Sequence, residues 1–174
     1  MMIPMDSMAT TIVLFVLIAA CGATDVLYGK IFNIVTLPAL GAGIVINGFF
    51  GFRGVEMSLL GAVIGFVPFY VVFRLGGIGG GDVKLMAGIG ALKGFPFVGW
   101  ALFYSVLVGG AMAMIKLIWE RRFWSGLWRT GQVLVSLVVP GLRPLAPDPS
   151  LAGRVPYGLA IALGTLWAWL DMRF

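Results

Sequence analysis

The sequence contains few of the groups from which metal sites and disulfide frameworks are built. Among its 174 residues there is no His and only one Cys, and 11% of the residues are charged. A zinc site takes three or four ligands, mostly His and Cys, and a disulfide takes two Cys. We therefore expect no metal, and any catalysis must use carboxylates, lysines or hydroxyl groups.

The basic residues are too thinly spread to indicate nucleic-acid binding. Twelve Lys and Arg against seven Asp and Glu give a net charge of +5, but they are scattered through apolar sequence. A nucleic-acid site would show them clustered on one face or along one helix. No nucleic-acid partner is expected.

Apolar side chains are in large excess. They make up 60% of the chain, and the mean hydropathy is +1.04. This composition leaves no polar face for a soluble domain. It predicts an all-α integral membrane protein that crosses the bilayer several times, with residues 1–174 as one domain and lipid as a partner.

Six stretches with little or no charge predict six transmembrane helices, since one crossing needs about 20 mostly apolar residues. The fourth stretch is short and contains Lys84 and Lys93. The six stretches are residues 7–24, 34–52, 57–73, 83–97, 94–115 and 155–170.

The distribution of Lys and Arg predicts the orientation, because these residues are more frequent in cytoplasmic loops. With six spans, Arg53, Lys93 and Arg173 fall on one side and the other nine basic residues on the opposite, cytoplasmic side. These nine are Lys30, Arg74, Lys84, Lys116, Arg121, Arg122, Arg129, Arg143 and Arg154. Both termini are then outside, and residues 119–153 form a cytoplasmic or interfacial loop.

Asp25 and Asp82 are the acids that most suggest chemistry. A carboxylate in the middle of a membrane helix costs about 2.5 to 3.5 kcal/mol, so an acid near the hydrocarbon indicates function. Two complete predicted spans separate these acids, so both face the cytoplasmic side. Two carboxylates that share one proton can act as the general base and general acid of peptide hydrolysis.

Two other interpretations of these acids stay open. Asp is favoured at the start of a helix, so the pair could be unrelated helix-end residues. Intramembrane acids beside broken helices also bind protons or cations in transporters. A transporter would place its acids near the midplane, whereas the predicted spans place both at cytoplasmic ends.

Three short motifs stand out along the chain. They are Asp25 followed by Lys30-Ile31-Phe32-Asn33, then Gly79-Gly80-Gly81-Asp82-Val83-Lys84, and finally Arg154-Val155-Pro156-Tyr157-Gly158. Together they resemble the motifs of the type IV prepilin peptidases, which are intramembrane aspartic proteases of the Gly-x-Gly-Asp class. The resemblance runs from about Thr24 to Gly164, and Phe32 stands where this family often has Pro.

The resemblance implies that Asp25 and Asp82 are the catalytic pair of a peptidase without a cofactor. Its substrates would be prepilins or pseudopilins, cut after the Gly that ends the leader, at the cytoplasmic face of the bacterial inner membrane. Residues expected to support the dyad or the substrate are Gly79, Gly80, Gly81, Lys84, Asn33, Arg154 and Pro156.

The chain resembles the short members of this family, which serve Flp-type pili. The first predicted span begins near residue 7, and Cys21 is the only cysteine, so the paired cysteines of the bifunctional members have no counterpart. The resemblance therefore implies neither N-methyltransferase activity nor its S-adenosylmethionine. It leaves open whether the protein forms a homo-oligomer.

Overall fold

The computed structural model describes residues 7–119 and 156–172, and every regular element within them is an α-helix. This confirms the predicted all-α class. The helices are α1 (Met8–Tyr28), α2 (Asn33–Gly48), α3 (Phe52–Arg74), α4 (Gly80–Trp119) and α5 (Tyr157–Asp171). The predicted loop 119–153 lies, except for Trp119, outside these residues.

The prediction of six separate helices is corrected to five for the described part of the chain. The stretches at residues 83–97 and 94–115, predicted to be separate, both belong to α4. Three helices are long and apolar enough to cross a membrane, namely α1, α3 and the Gly80–Lys116 part of α4, while α2 is a shorter apolar helix. These features are those of a membrane protein.

α4 is interrupted at Gly94, where the backbone leaves the helical region with φ 77° and ψ −177°. A Cβ atom on Gly65 of α3 would lie 2.5 Å from the Met86 carbonyl oxygen and 3.1 Å from Val98 Cγ2. These two atoms of α4 are thus within about 6 Å, whereas twelve residues of straight helix span about 18 Å. α4 therefore folds back on itself, and we call residues 80–93 its first arm and residues 95–119 its second arm.

Buried polar side chains bond to the backbone where the first arm ends. Asn47 Nδ2 donates to the carbonyl oxygens of Ala91 and Leu92 at 2.9 and 3.2 Å, and Ser58 Oγ donates to that of Ala91 at 2.5 Å. Pro96 has no N–H to offer the Leu92 carbonyl, so a helix ending here needs donors from elsewhere. Asn47 and Ser58, from α2 and α3, supply them.

The first arm lies at the centre of the bundle. Its side chains Leu85, Met86, Ile89 and Leu92 are completely buried, as are Leu14 of α1 and Ile161 of α5. Neighbouring helices approach the arm through glycines, with Gly61 of α3 against the backbone of Gly90. Small residues permit this close approach of membrane helices.

Its central position explains how the first arm carries Lys93. This side chain is only 6% exposed, and its Nζ donates to Thr11 Oγ1 in the first turn of α1 at 2.7 Å. The ammonium group is thus held inside the bundle, at the end of the arm opposite Asp82. We call the end of the bundle that contains Asp25 and Asp82 the acid end, and the end that contains Gly94 the turn end.

Candidate active site

Asp25 and Asp82 each lie at a helix end beside an irregular connection. Asp25 is in the last turn of α1, and its carbonyl accepts from the N–H of Gly29, which ends the helix in the left-handed conformation with φ 60°. Asp82 is in the first turn of α4, directly after the glycine run. Both connections can therefore shape the space between the two acids.

The fold brings these two acids to one cavity of about 360 Å³. The α1–α2 connection and the glycine run form its walls, and both acids belong to its lining. The lining residues are Asp25, Gly29, Lys30, Ile31, Phe32, Asn33, Gly79, Gly80, Gly81 and Asp82. Residues 57 positions apart in the sequence thus share one site.

The Asp82 carboxylate is held at the N-terminus of its own helix. Its Oδ2 accepts from the backbone N–H of Gly79 at 2.9 Å, in the manner of the acidic residue of a capping box. The side chain is only 7% exposed, and its buried Oδ1 accepts no hydrogen bond from the described residues. Asp82 thus has the helix-end role considered above and also lines the cavity with one oxygen unbonded.

The Asp25 carboxylate is held by α5. Its Oδ2 accepts from the backbone N–H of Gly158, in the first turn of that helix, at 2.6 Å. Sequence reasoning did not place Gly158 in the site, although the third motif contains it. A backbone donor carries no signature of its own in a sequence, so only the fold shows this contact.

The three predicted glycines of the site line the cavity, and one of them is required by close packing. A Cβ on Gly81 would lie 2.7 Å from Ile31 Cβ and 3.1 Å from the Ile31 carbonyl oxygen. Any larger residue would force the α1–α2 connection away from the start of α4. Ile31 is therefore a further site residue, found through packing.

The remaining predicted residues surround the site without all entering it. Lys84 Nζ donates to Asn33 Oδ1 at 2.8 Å, which ties the first arm of α4 to the start of α2. Asn33 lines the cavity, whereas Lys84 is not one of the described residues that line it. Pro156 precedes the first residue of α5 as its N-cap, and Arg154 lies outside the described residues.

The arrangement offers two carboxylates and oriented backbone donors, and within residues 7–119 and 156–172 no group of three His, Cys, Asp or Glu side chains could hold a metal ion. Two neighbouring carboxylates can divide the roles of general base and general acid between them. Such a pair suits the hydrolysis of a peptide bond by an activated water.

Comparison with known proteins gives the family. The model of the type IV leader peptidase family matches residues 12–114, which is more than half of the chain and includes both acids. The chain therefore belongs to the type IV leader peptidase family. This is a family of peptidases, which agrees with the resemblance seen in the three motifs.

Several relatives are prepilin leader peptidase/N-methyltransferases. The chain is 34% identical over 92 residues to that of Pseudomonas aeruginosa, covering 49% of this chain and 32% of the relative. It is 44% identical over 63 residues to that of Bacillus subtilis, covering 33% and 25%. The alignments thus span a quarter to a third of these relatives, and no solved structure matches the chain.

Proposed function

We propose that this protein is a prepilin leader peptidase that hydrolyses the bond after the leader Gly with Asp25 and Asp82 as its catalytic pair. The observation that carries the proposal is the meeting of these two acids at one cavity in a member of the type IV leader peptidase family. Each acid has one oxygen bonded to a backbone N–H, so both are oriented.

In the proposed reaction one carboxylate is ionised and the other is protonated. The ionised group takes a proton from a water whose oxygen attacks the carbonyl carbon, while the protonated group donates to the carbonyl oxygen. The tetrahedral intermediate then breaks its C–N bond, and the first group gives its proton to the leaving nitrogen. A hydroxyl of the intermediate returns a proton to the second group, which restores the pair.

The glycine run and the α1–α2 connection are the proposed route by which the scissile peptide reaches the acids. Both connections line the cavity, and Gly79, Gly80 and Gly81 carry no side chain that would keep a substrate backbone away. An extended peptide could thus lie against them. This assigns the predicted supporting glycines to substrate access.

The acid end is proposed to face the cytoplasm of a bacterium, with the protein in the inner membrane. Lys30, Arg74 and Lys84 lie at or beside this end, whereas Arg53 and Lys93 belong to the turn end. An excess of basic residues is expected on the cytoplasmic side. The substrate is proposed to be a prepilin or pseudopilin of the Flp type, presented at that surface.

The test is cleavage of a co-expressed Flp-type prepilin, read as a gel shift, at equal enzyme levels. Asp25→Asn and Asp82→Asn keep the side-chain shape and remove the acid, and each should lower cleavage by about 100-fold or more. Glu56→Gln is the matched control, since Glu56 is an exposed acid of α3 outside the cavity lining. It should cleave like the unaltered protein.

Each outcome decides between the interpretations. Loss of cleavage in both Asn variants and not in Glu56→Gln would support the dyad. Cleavage that survives in either Asn variant would refute the two-aspartate mechanism. If the unaltered protein cleaves neither the Flp-type prepilin nor another type IV prepilin, the peptidase proposal fails and proton or cation binding by the two acids becomes the hypothesis to test.

A further inference from the structure

We propose that the first turn of α5 is a positioning element for Asp25, with Gly158 holding the carboxylate and Tyr157 anchoring the turn. The inference rests on the proposed function and extends it to residues that the dyad chemistry alone does not identify. Its starting point is the 2.6 Å bond from the Gly158 N–H to Asp25 Oδ2, between residues 133 positions apart.

Because Gly158 has no Cβ, α5 can approach the acid closely at this place. A Cβ there would lie 2.9 Å from Asp25 Oδ2 and 3.0 Å from Asp25 Cβ. It would also lie 2.8 Å from Ile31 Cδ1, in the connection that lines the cavity. Adding a methyl group would thus leave the N–H donor in place but displace the carboxylate that it holds.

Tyr157 fixes the position and orientation of the first turn of α5. Its ring packs edge-on against Phe69 of α3, with ring centroids 5.9 Å apart. It also covers Gly109 in the second arm of α4, where a Cβ would lie 2.6 Å from Tyr157 Cε2 and 2.9 Å from Cζ. The ring therefore sits in a slot between α3 and α4, and the slot sets where the Gly158 N–H points.

The two acids are held in the same way but from different helices. Asp82 Oδ2 is bonded by Gly79, just before its own helix, and Asp25 Oδ2 is bonded by Gly158 from α5. Each bond fixes one oxygen and leaves the other for the reaction. Because a misplacement of about 1 Å can cost about 100-fold in rate, the position of α5 should control the turnover number.

The first experiment measures kcat and KM for cleavage of a purified prepilin in detergent by Gly158→Ala. We expect kcat to fall by about tenfold to 100-fold with KM within about twofold, since the acid is displaced and the substrate contacts remain. The double variant Gly158→Ala/Ile31→Val removes the Ile31 Cδ1 contact alone. It should not restore kcat, and full restoration would overturn the assignment to Asp25.

A matched pair of glycines tests the slot of Tyr157. The methyl group added by Gly109→Ala would collide with the tyrosine ring, whereas a Cβ on the neighbouring Gly110 would have no atom within 4 Å. Both variants make the same chemical change in the same arm of α4. Gly109→Ala should lower kcat and Gly110→Ala should not, and equal effects of the two would overturn the anchoring role.

An amide proton signal tests the hydrogen bond without any substrate. In the protein labelled with ¹⁵N-glycine in micelles, the Gly158 signal is the one missing from Gly158→Ala. A short bond to a carboxylate should place its proton downfield, and Asp25→Ala should move it upfield. A Gly158 amide proton shift that is unchanged in Asp25→Ala would overturn the proposal. If the signal moves but no prepilin is cleaved, the positioning stands and the proposed function fails.

Discussion

The side-chain amide of Asn47 stabilises the place where the first arm of α4 ends. It is completely buried, and its amide bonds two carbonyls where the first arm of α4 ends. Asn47→Leu should lower the free energy of unfolding by about 1 to 3 kcal/mol, because the Leu92 carbonyl loses this donor while the Ala91 carbonyl keeps only its bond from Ser58. Unfolding in mixed micelles with increasing SDS measures this.

Two variants serve as comparisons for Asn47→Leu. Ser58→Ala should cost less, since the Ala91 carbonyl keeps its bond from Asn47. Gly41→Ala lies in the same helix as Asn47, and its added methyl group meets nothing within 4 Å, so it should cause no loss of stability. An Asn47→Leu protein as stable as Gly41→Ala would contradict the capping role.

At the scale of single residues, the sequence predicted the acids of the site but not the groups that hold them. Asp25 and Asp82 stood out because charge is costly near hydrocarbon, and this holds whatever the fold. Gly158 and Asn47 act through contacts between residues far apart in the sequence. Their roles depend on which helices become neighbours, and no local pattern encodes that.

At the scale of elements, the turn in α4 is where the prediction and the structure differ. The predicted fourth and fifth spans overlapped at residues 94–97, and the helix is interrupted at Gly94 within that overlap. Hydropathy showed enough apolar sequence for two helical segments. It could not show that a single non-helical residue, Gly94, separates them. One glycine with positive φ therefore makes the whole connection between the two predicted spans.

The fold-back of α4 should depend on Gly94 itself. With φ at 77° and ψ at −177° this residue is in a region that is open almost only to glycine and costs other residues about 1 to 3 kcal/mol, and it packs against Gly61. Gly94→Ala should therefore lower the midpoint of thermal unfolding in detergent. It should also lower prepilin cleavage, because the first arm carries Asp82.

Gly99→Ala is the matched control for Gly94→Ala. Gly99 lies five residues later in the second arm, has no positive φ, and a Cβ there meets nothing within 4 Å. It should unfold at the same temperature as the unaltered protein or a higher one, because Ala is a better helix former than Gly. Equal loss of stability in the two variants would mean that the positive φ at Gly94 is not what matters.

At the scale of the whole molecule, the contacts sort the helix ends into two groups. α1 ends, and α4 and α5 begin, around the cavity. α1 begins, α2 ends and the first arm of α4 ends around Lys93 and Asn47.

A straight α4 of 40 residues would be about 60 Å long, twice the thickness of a hydrocarbon core of about 30 Å. Folding back at Gly94 lets both arms fit within the membrane.

This arrangement predicts which residues are reachable from each side. Arg74 before α4 and Lys116 near its end should share the cytoplasmic side, whereas a straight α4 would separate them. Arg53 and the half-exposed Phe95 belong to the turn end and should be outside. The only cysteine, Cys21, is completely buried, so single cysteines can be introduced without a reactive background.

Labelling with a membrane-impermeant maleimide measures this directly. Arg53→Cys and Phe95→Cys should react in intact cells, whereas Arg74→Cys and Lys116→Cys should react only after the inner membrane is permeabilised. Reaction of Arg74→Cys and Lys116→Cys from opposite sides would contradict the fold-back. Reaction of both from outside would agree with the fold-back but would place the acids on the wrong side for a leader that has not crossed the membrane. The same four variants therefore test the shape of α4 and the proposed side of cleavage separately.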